Sequence, residues 1–184
     1  MLKNVDVGLM VNHLSAHNAI IKRLDMYINH VQNQQIATII QKQMMIMNNH
    51  VQVMKQLLDP KQSTVNLLPI PTNVGMVQNL NNNLDISDQD IAVDAHFTAS
   101  AMAKENFNSA ENMKNHQVKK THTEMALQQS TIAGMYEQLM NQLGWMSQPD
   151  VSTSEQIAAL APFNVISNPN LNGQQQIINP NQIN

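Results

Sequence analysis

Met113-Lys114-Asn115-His116-Gln117-Val118 is a short polar break between two long helical stretches, and Val31-Gln32-Asn33-Gln34-Gln35-Ile36 is its counterpart nearer the N-terminus. Laying Asn33 on Asn115 aligns Ile36 with Val118, Leu57 with Leu139 and Leu58 with Met140. Residues about 7–58 and 88–144 each read as a helix, a break and a second helix. Two equivalent hairpins separated by about 28 residues predict an all-α chain: a four-helix bundle of two helical hairpins with one long crossover. That architecture hosts both di-metal enzymes and inert structural proteins, so function has to be argued from the interior.

The predicted helices cover about 7–32, 34–58, 88–113 and 116–143, within a domain of residues 1–146. The first carries the stripe Met10, Leu14, His17, Ile20/Ile21, Leu24, Ile28, Val31, in steps of three and four. Asn33 is placed to cap the second helix, whose stripe is Ile36, Ile39/Ile40, Gln43, Met47, His50, Met54, Leu57/Leu58, and Asp59-Pro60 ends it. Ser87-Asp88-Gln89-Asp90 resembles a capping box at the start of the third helix, which continues Ile91, Ala95, Thr98, Met102, Glu105. Small residues are frequent there, as where a helix lies close to a partner. If that partner is another subunit, Ala99→Leu disturbs assembly. The fourth helix reads Val118, His122, Met125, Gln129, Ile132, Met135/Tyr136, Leu139, Leu143, stopped by Gly144 with Trp145 as a lid on the bundle end.

Residues 59–86 hold three prolines, a glycine and Asn81-Asn82-Asn83 and read as the extended crossover, pinned by Leu67, Leu68, Ile70, Val74 and Met76. A helix of about 26 residues is roughly 39 Å long, a span such a segment can cover. Residues 147–184 have no Lys or Arg and read as a flexible Asn/Gln-rich tail. Within it Ser154-Glu155-Gln156-Ile157-Ala158-Ala159-Leu160 suits a helical turn or two, and the end from Gly173 is low-complexity.

Composition excludes several function classes. With no cysteine, disulfides, iron–sulfur clusters and thiol catalysis are ruled out. Only 10 Lys+Arg against 13 Asp+Glu leave no basic face for nucleic acid. No apolar run approaches the roughly 20 residues that span a bilayer, and the N-terminus lacks the apolar stretch of a secretory signal. The expectation is therefore synthesis in a cytoplasm. Only 12% of residues are charged, against about 25% in ordinary domains, and Asn and Gln fill the gap. Such a surface repels its own copies weakly and suits dense assembly. The 14 methionines follow the helical stripes and read as interface filler.

Asp88-Gln89-Asp90-Ile91-Ala92-Val93-Asp94, then Met102-Ala103-Lys104-Glu105, then Met140-Asn141-Gln142-Leu143-Gly144-Trp145 resemble, in that order and spacing, the spore coat protein F family of endospore-forming bacteria. The match covers about 60 residues, and the first hairpin more loosely. The family has a ferritin-like bundle, so the resemblance implies that fold. It also implies a structural coat component made in the mother-cell cytoplasm, without enzymatic activity. Self-association into a homo-oligomer and packing with other spore coat proteins are the expected interactions, with no cofactor and no membrane. The tyrosine-rich tail of many coat proteins is missing, as only Tyr27 and Tyr136 occur.

Ferritin-like di-iron sites take a carboxylate from each of two helices and a Glu-x-x-His from each of the others. No Glu-x-x-His occurs here. The second helix offers Met47-Asn48-Asn49-His50 and the fourth Gln129-Ser130-Thr131-Ile132; His17 stands for one carboxylate and Ala99 for the other. A lesser site is conceivable. His13 and His17 share a helix face, His50 lies across the first hairpin, and Glu105 comes to a similar level through the crossover, with His122 near the same end. His17, His50 and Glu105 are thus the candidate ligands for one zinc or copper ion. The alternative is a set of hydrogen-bonded core histidines. Either way, buried imidazoles charge as the pH falls through about 6.5 and strain the bundle. Asp85, Asp88, Asp90 and Asp94 read as favouring the positive end of a helix dipole. No phosphate loop or nucleophile–base pair is present.

Overall fold

The computed structural model describes residues 1–61, 64–75 and 85–161. The chain forms two compact units, residues 1–147 and 148–184. The first holds four helices: α1 (Asn4–Ile28), α2 (Gln34–Leu58), α3 (Asp88–Asn112) and α4 (His116–Gln142). The second holds α5 (Thr153–Leu160), capped by Ser152 and Glu155 and without a buried residue. Among the described residues there is no strand. The low-complexity end lies outside them.

Each helix begins and ends for a local reason. Asn33 Oδ1 accepts from the amides of Gln35 and Ile36, and Asn115 Oδ1 does the same for Gln117 and Val118. These are the two equivalent residues on which the repeat was aligned. Ser87 and Asp90 cap α3 reciprocally, the Ser87 hydroxyl accepting from Asp90 N while the Asp90 carboxylate accepts from Ser87 N. α1 starts at Asn4, earlier than the hydrophobic stripe predicts, because Asp6 accepts from the Lys3 amide at 2.7 Å. It stops at Ile28 rather than 32, because Asn29 Nδ2 and His30 Nδ1 fold back onto the carbonyls of Asp25 and Met26 and close its last turn. Gly144, at φ +70°, ends α4 in a left-handed turn that lets Trp145 N reach Met140 O at 2.8 Å.

α1 and α2 form one hairpin, α3 and α4 the other. α1 runs antiparallel to α3: His13 meets Ser109, and Tyr27 meets Asp94. α2 runs antiparallel to α4: Gln43 meets Tyr136, and His50 meets Gln128. Of the connection after α2, residues 64–75 lie along α2 and α4. The Leu68 amide donates to Asn49, the Leu68 carbonyl accepts from Gln128, and Val65, Leu67 and Ile70 pack on the core. Leu68 itself is exposed, so it is held by its backbone and not, as its type suggests, by burial of its side chain. Met76 lies outside the described residues.

Three of the four aspartates in the acidic run, Asp88, Asp90 and Asp94, hold specific partners. Asp90 caps its own helix, Asp94 accepts from Tyr27 and pairs with Arg23, and Asp88 receives the amides of Gln32 and Asn33 in the turn of the first hairpin, each at 2.8 Å. Asp6 does the same for the second hairpin, receiving Lys114 N at 2.7 Å and Asn115 N at 3.2 Å. Each hairpin thus supplies the carboxylate that closes the other's turn.

The core has two ends of different character. One is apolar: Ile36, Ile40, Ile91, Ala92, Ala95, Ala99, Ile132 and Tyr136 are buried there. The small-residue stripe of α3 faces this core and lets α4 of the same chain approach closely. Ala99 is fully buried and so corrects the expectation of a subunit contact: Ala99→Leu overpacks the bundle. It should cost about 2 kcal/mol of stability with an unchanged elution volume in size-exclusion chromatography. Altered elution of a folded variant would restore the interface reading.

Candidate functional site: a buried histidine cluster

Toward the other end, between that core and the smaller apolar groups of Met10, Met113 and Val118 and of Val53, Met54 and Met125, the bundle interior is polar. His17, His50 and His122 are fully buried and His13 nearly so. They come from three helices whose stripes place them inward: α1 gives His13 and His17, α2 His50 and α4 His122. The ring centroids of His13 and His122 are 5.0 Å apart, those of His17 and His50 5.4 Å, and those of His13 and His17 6.1 Å.

For three of the four rings the hydrogen bonds fix where the proton sits. His17 Nδ1 is 2.8 Å from the His13 carbonyl oxygen, which only accepts, so Nδ1 carries the proton and Nε2 is a bare lone pair. His50 Nε2 is 2.8 Å from Gln128 Oε1. The amide of Gln128 cannot be reversed, since its Nε2 donates to Leu68 O at 2.8 Å. His50 is therefore protonated on Nε2 and bare on Nδ1. His122 Nδ1 is 3.1 Å from Asn106 Oδ1, and Asn106 is oriented by its own donation to Met102 O at 2.8 Å. His122 is thus protonated on Nδ1, and its buried Nε2 has no partner. His13 Nε2 meets the Ser109 hydroxyl at 2.8 Å.

Burial sets the charge state. It is the largest cause of the depressed basicity of all four rings. His17 titrates at about 3, lowered further by His50, His13 and His122 and partly restored by the His13 carbonyl. His50 titrates at about 4, with the Gln128 hydrogen bond opposing burial. His122 titrates at about 3, lowered also by His13 and His50. His13 is lowered as well, by burial, with the Glu105 charge opposing. At neutral pH the cluster is uncharged.

Of the three candidate ligands, the structure brings His17 and His50 together, Nε2 to Nδ1, at 3.2 Å. It does not bring Glu105 to them. Glu105 comes from the level of α3 that faces His17 but lies on the exposed side of the helix. Asn106 and Ser109 turn inward in its place. A residue later in the stripe fits the helical period as well as Glu105 does, and the sequence gives no means of choosing between neighbours. Gln128, the residue that orients His50, lies off the stripe and carries no signal. Gln43 and Gln129, on the stripes themselves, are fully buried. Gln43 accepts from Tyr136 at 3.0 Å, and neither amide atom of Gln129 has a partner.

A di-iron centre does not fit this interior. Two bridged iron cations need several carboxylates for charge balance, whereas the cluster is made of neutral imidazoles and amides. Among the described residues, no three histidine, aspartate or glutamate side chains stand ready to close on one ion.

No protein family profile matches the chain, and no curated protein sequence does so. The fold does have a match in a solved structure, the 1.54 Å crystal structure of a candidate spore coat protein from Bacillus halodurans C-125. The two superpose with a TM-score of 0.66 at 16% sequence identity, over 83% of this chain and 96% of the other. The chain therefore has the helical-bundle fold of that protein. Among the described residues, no helix is long and apolar enough to cross a membrane.

Proposed function

We propose that this protein is a ferritin-like structural component of the bacterial endospore coat, related to the coat F family. It would be made in the mother-cell cytoplasm and act without catalysis, by self-association and packing with other coat proteins. The observation that carries this reading is the fold shared over nearly the whole length of the Bacillus halodurans protein. The coat F-like runs at 88–94, 102–105 and 140–145 support it, as does a surface unusually poor in charge. Phe97 and Phe107 on α3 and Leu127 on α4 are more than half exposed, giving the second hairpin apolar side chains suited to contact within a dense layer. The test is to express a tagged chain during sporulation, strip the spores into coat and core fractions, and assay each. Enrichment in the coat fraction, with self-association of the purified protein in sedimentation, is the expected result. A chain that stays in the mother-cell lysate overturns the proposal.

A further inference from the structure

The outer face of the second hairpin is apolar where a solvated face is ordinarily charged. Phe97 stands about 160° round α3 from Ala99, which is fully buried, and is itself 65% exposed. Phe107, 51% exposed, leans toward α4. With Ala103, Asn108, Ala126, Leu127 and Ser130 it lines a surface groove of about 480 Å³. Leu127 on the far wall is 65% exposed. Between Asp94 and Lys104 on α3, and between Glu124 and Glu137 on α4, there is no Lys, Arg, Asp or Glu.

This face complements itself. A projecting aromatic and a groove able to receive one lie ten residues apart on one helix, about 15 Å. In a two-fold pairing every contact is made twice, residue i on j and j on i. Laying α3 antiparallel on the α3 of a second copy, with the axis at the level of Met102, sets each Phe97 against the other's Phe107 and groove. Ser100, Ala101 and Ala103 then meet at the axis, where small side chains let the helices approach. The same register matches charge. Asp90, exposed at the start of α3, lies about 20° round from Phe97, while Asp94 beside it is held by Arg23. At the other end Lys119 and Lys120 are paired with Glu111 and Glu124, and exposed Lys114 follows in the turn. Antiparallel pairing brings Asp90 opposite Lys114 of the second copy, whereas parallel pairing would set Asp90 against its own counterpart. The area is also adequate. Two copies of Phe97, Phe107 and Leu127 would withdraw roughly 700 Å² from water, and the residues between them carry the total to the ~1,000 Å² of a specific interface.

We propose that the chain forms a two-fold dimer through this face, α3 antiparallel to α3, with Phe97 of each copy seated beside Phe107 and Leu127 of the other. The inference deepens the self-association proposed above and rests on that part of the reading, not on the coat. The test is sedimentation equilibrium of the full chain and of variants whose folding is checked by circular dichroism. A monomer–dimer equilibrium at micromolar concentration is expected. Phe97→Asp should raise its dissociation constant at least tenfold, Lys114→Gln severalfold, and Met45→Asp, on the exposed face of α2, not at all. Because the chain has no cysteine, Ala101→Cys supplies a lone thiol near the axis. A short bis-maleimide should join two such chains and should not join two Met45→Cys chains. A chain still monomeric at submillimolar concentration, or an unchanged constant in folded Phe97→Asp, overturns the proposal. Open-ended assembly in place of a dimer also overturns it, as does cross-linking at residue 45 but not 101. An unchanged constant in Lys114→Gln overturns the antiparallel register. A chain that dimerises through Phe97 yet stays in the mother-cell lysate overturns the coat reading alone, and a monomeric chain in the coat fraction overturns this inference alone.

Discussion

Taking the protein from pH 7.5 to pH 5 is expected to remove about 6 kcal/mol of its stability. The sign follows from the direction of the shifts. In the unfolded chain a histidine takes up its proton near pH 6.5. In the bundle His17 and His122 wait until about pH 3 and His50 until about 4. Between those values the unfolded state binds more protons, so acid favours it. The full stability is present above pH 6.5 and is lost as the pH falls toward 3. At pH 5 each of the three rings contributes about 2 kcal/mol to the loss. Carboxylates contribute little in this window, since Asp6 and Asp90 are held below their ordinary range by the amides they accept from. A loss of this size approaches the whole stability of an ordinary domain and should lower the melting temperature by roughly 15 °C or more. Scanning calorimetry at the two pH values checks it. Equal melting temperatures would mean the imidazoles are hydrated or already paired with charge. His122→Leu should reduce the pH effect by about a third.

Asp6→Ala is expected to cost about 3–4 kcal/mol. Its carboxylate receives three backbone amides, those of Lys3, Lys114 and Asn115. Burial of Asp6 alone would raise its pKa, yet these three donors and the Lys114 charge together hold it below the usual range. Removing it uncaps α1 and leaves two amides of the distant turn without an acceptor. Chemical denaturation gives the magnitude, and amide exchange gives the location: Lys114 and Asn115 should exchange faster while Gln32 and Asn33 are unchanged. Asp88→Ala should show the reverse pattern at a lower cost, about 1–2 kcal/mol, because its carboxylate is only part-buried and receives two backbone amides where fully buried Asp6 receives three. Loss of stability without the local change in exchange would refute the capping role.

The four helices were legible because apolar stripes, Asn caps, Asp59-Pro60 and Gly144 all act locally, within a turn of the residue concerned. Their antiparallel neighbours followed from the repeat that equates Asn33 with Asn115. The same offset equates Asp6 with Asp88, and that pairing was the available sign of the two long-range caps. It went unread because an aspartate at a helix start already has a sufficient local explanation in the helix dipole. The histidines were legible as a group for the same reason as the core, since His17, His50 and His122 occupy stripe positions. Glu105 was misplaced by one residue of helical phase, a difference of about 100° that the pattern of α3, crowded with small residues, does not resolve. The protonation pattern could not be read from sequence at all, because it depends on Gln128, Asn106 and the Leu68 carbonyl meeting across three separate segments.

The reciprocal caps also give the bundle an internal two-fold likeness. In an isologous dimer, whatever one copy gives its mate it receives in return, and Asp6 and Asp88 serve the two turns in that manner. The chain is laid out as a dimer of hairpins written into a single polypeptide. Two identical copies would have to carry the same residues at both ends of the bundle. A single chain is free of that obligation: where one half has His17 and His50, the other has Ala99 and Ile132. A single polypeptide can therefore carry an imidazole-lined polar interior toward one pole and a hydrocarbon one toward the other.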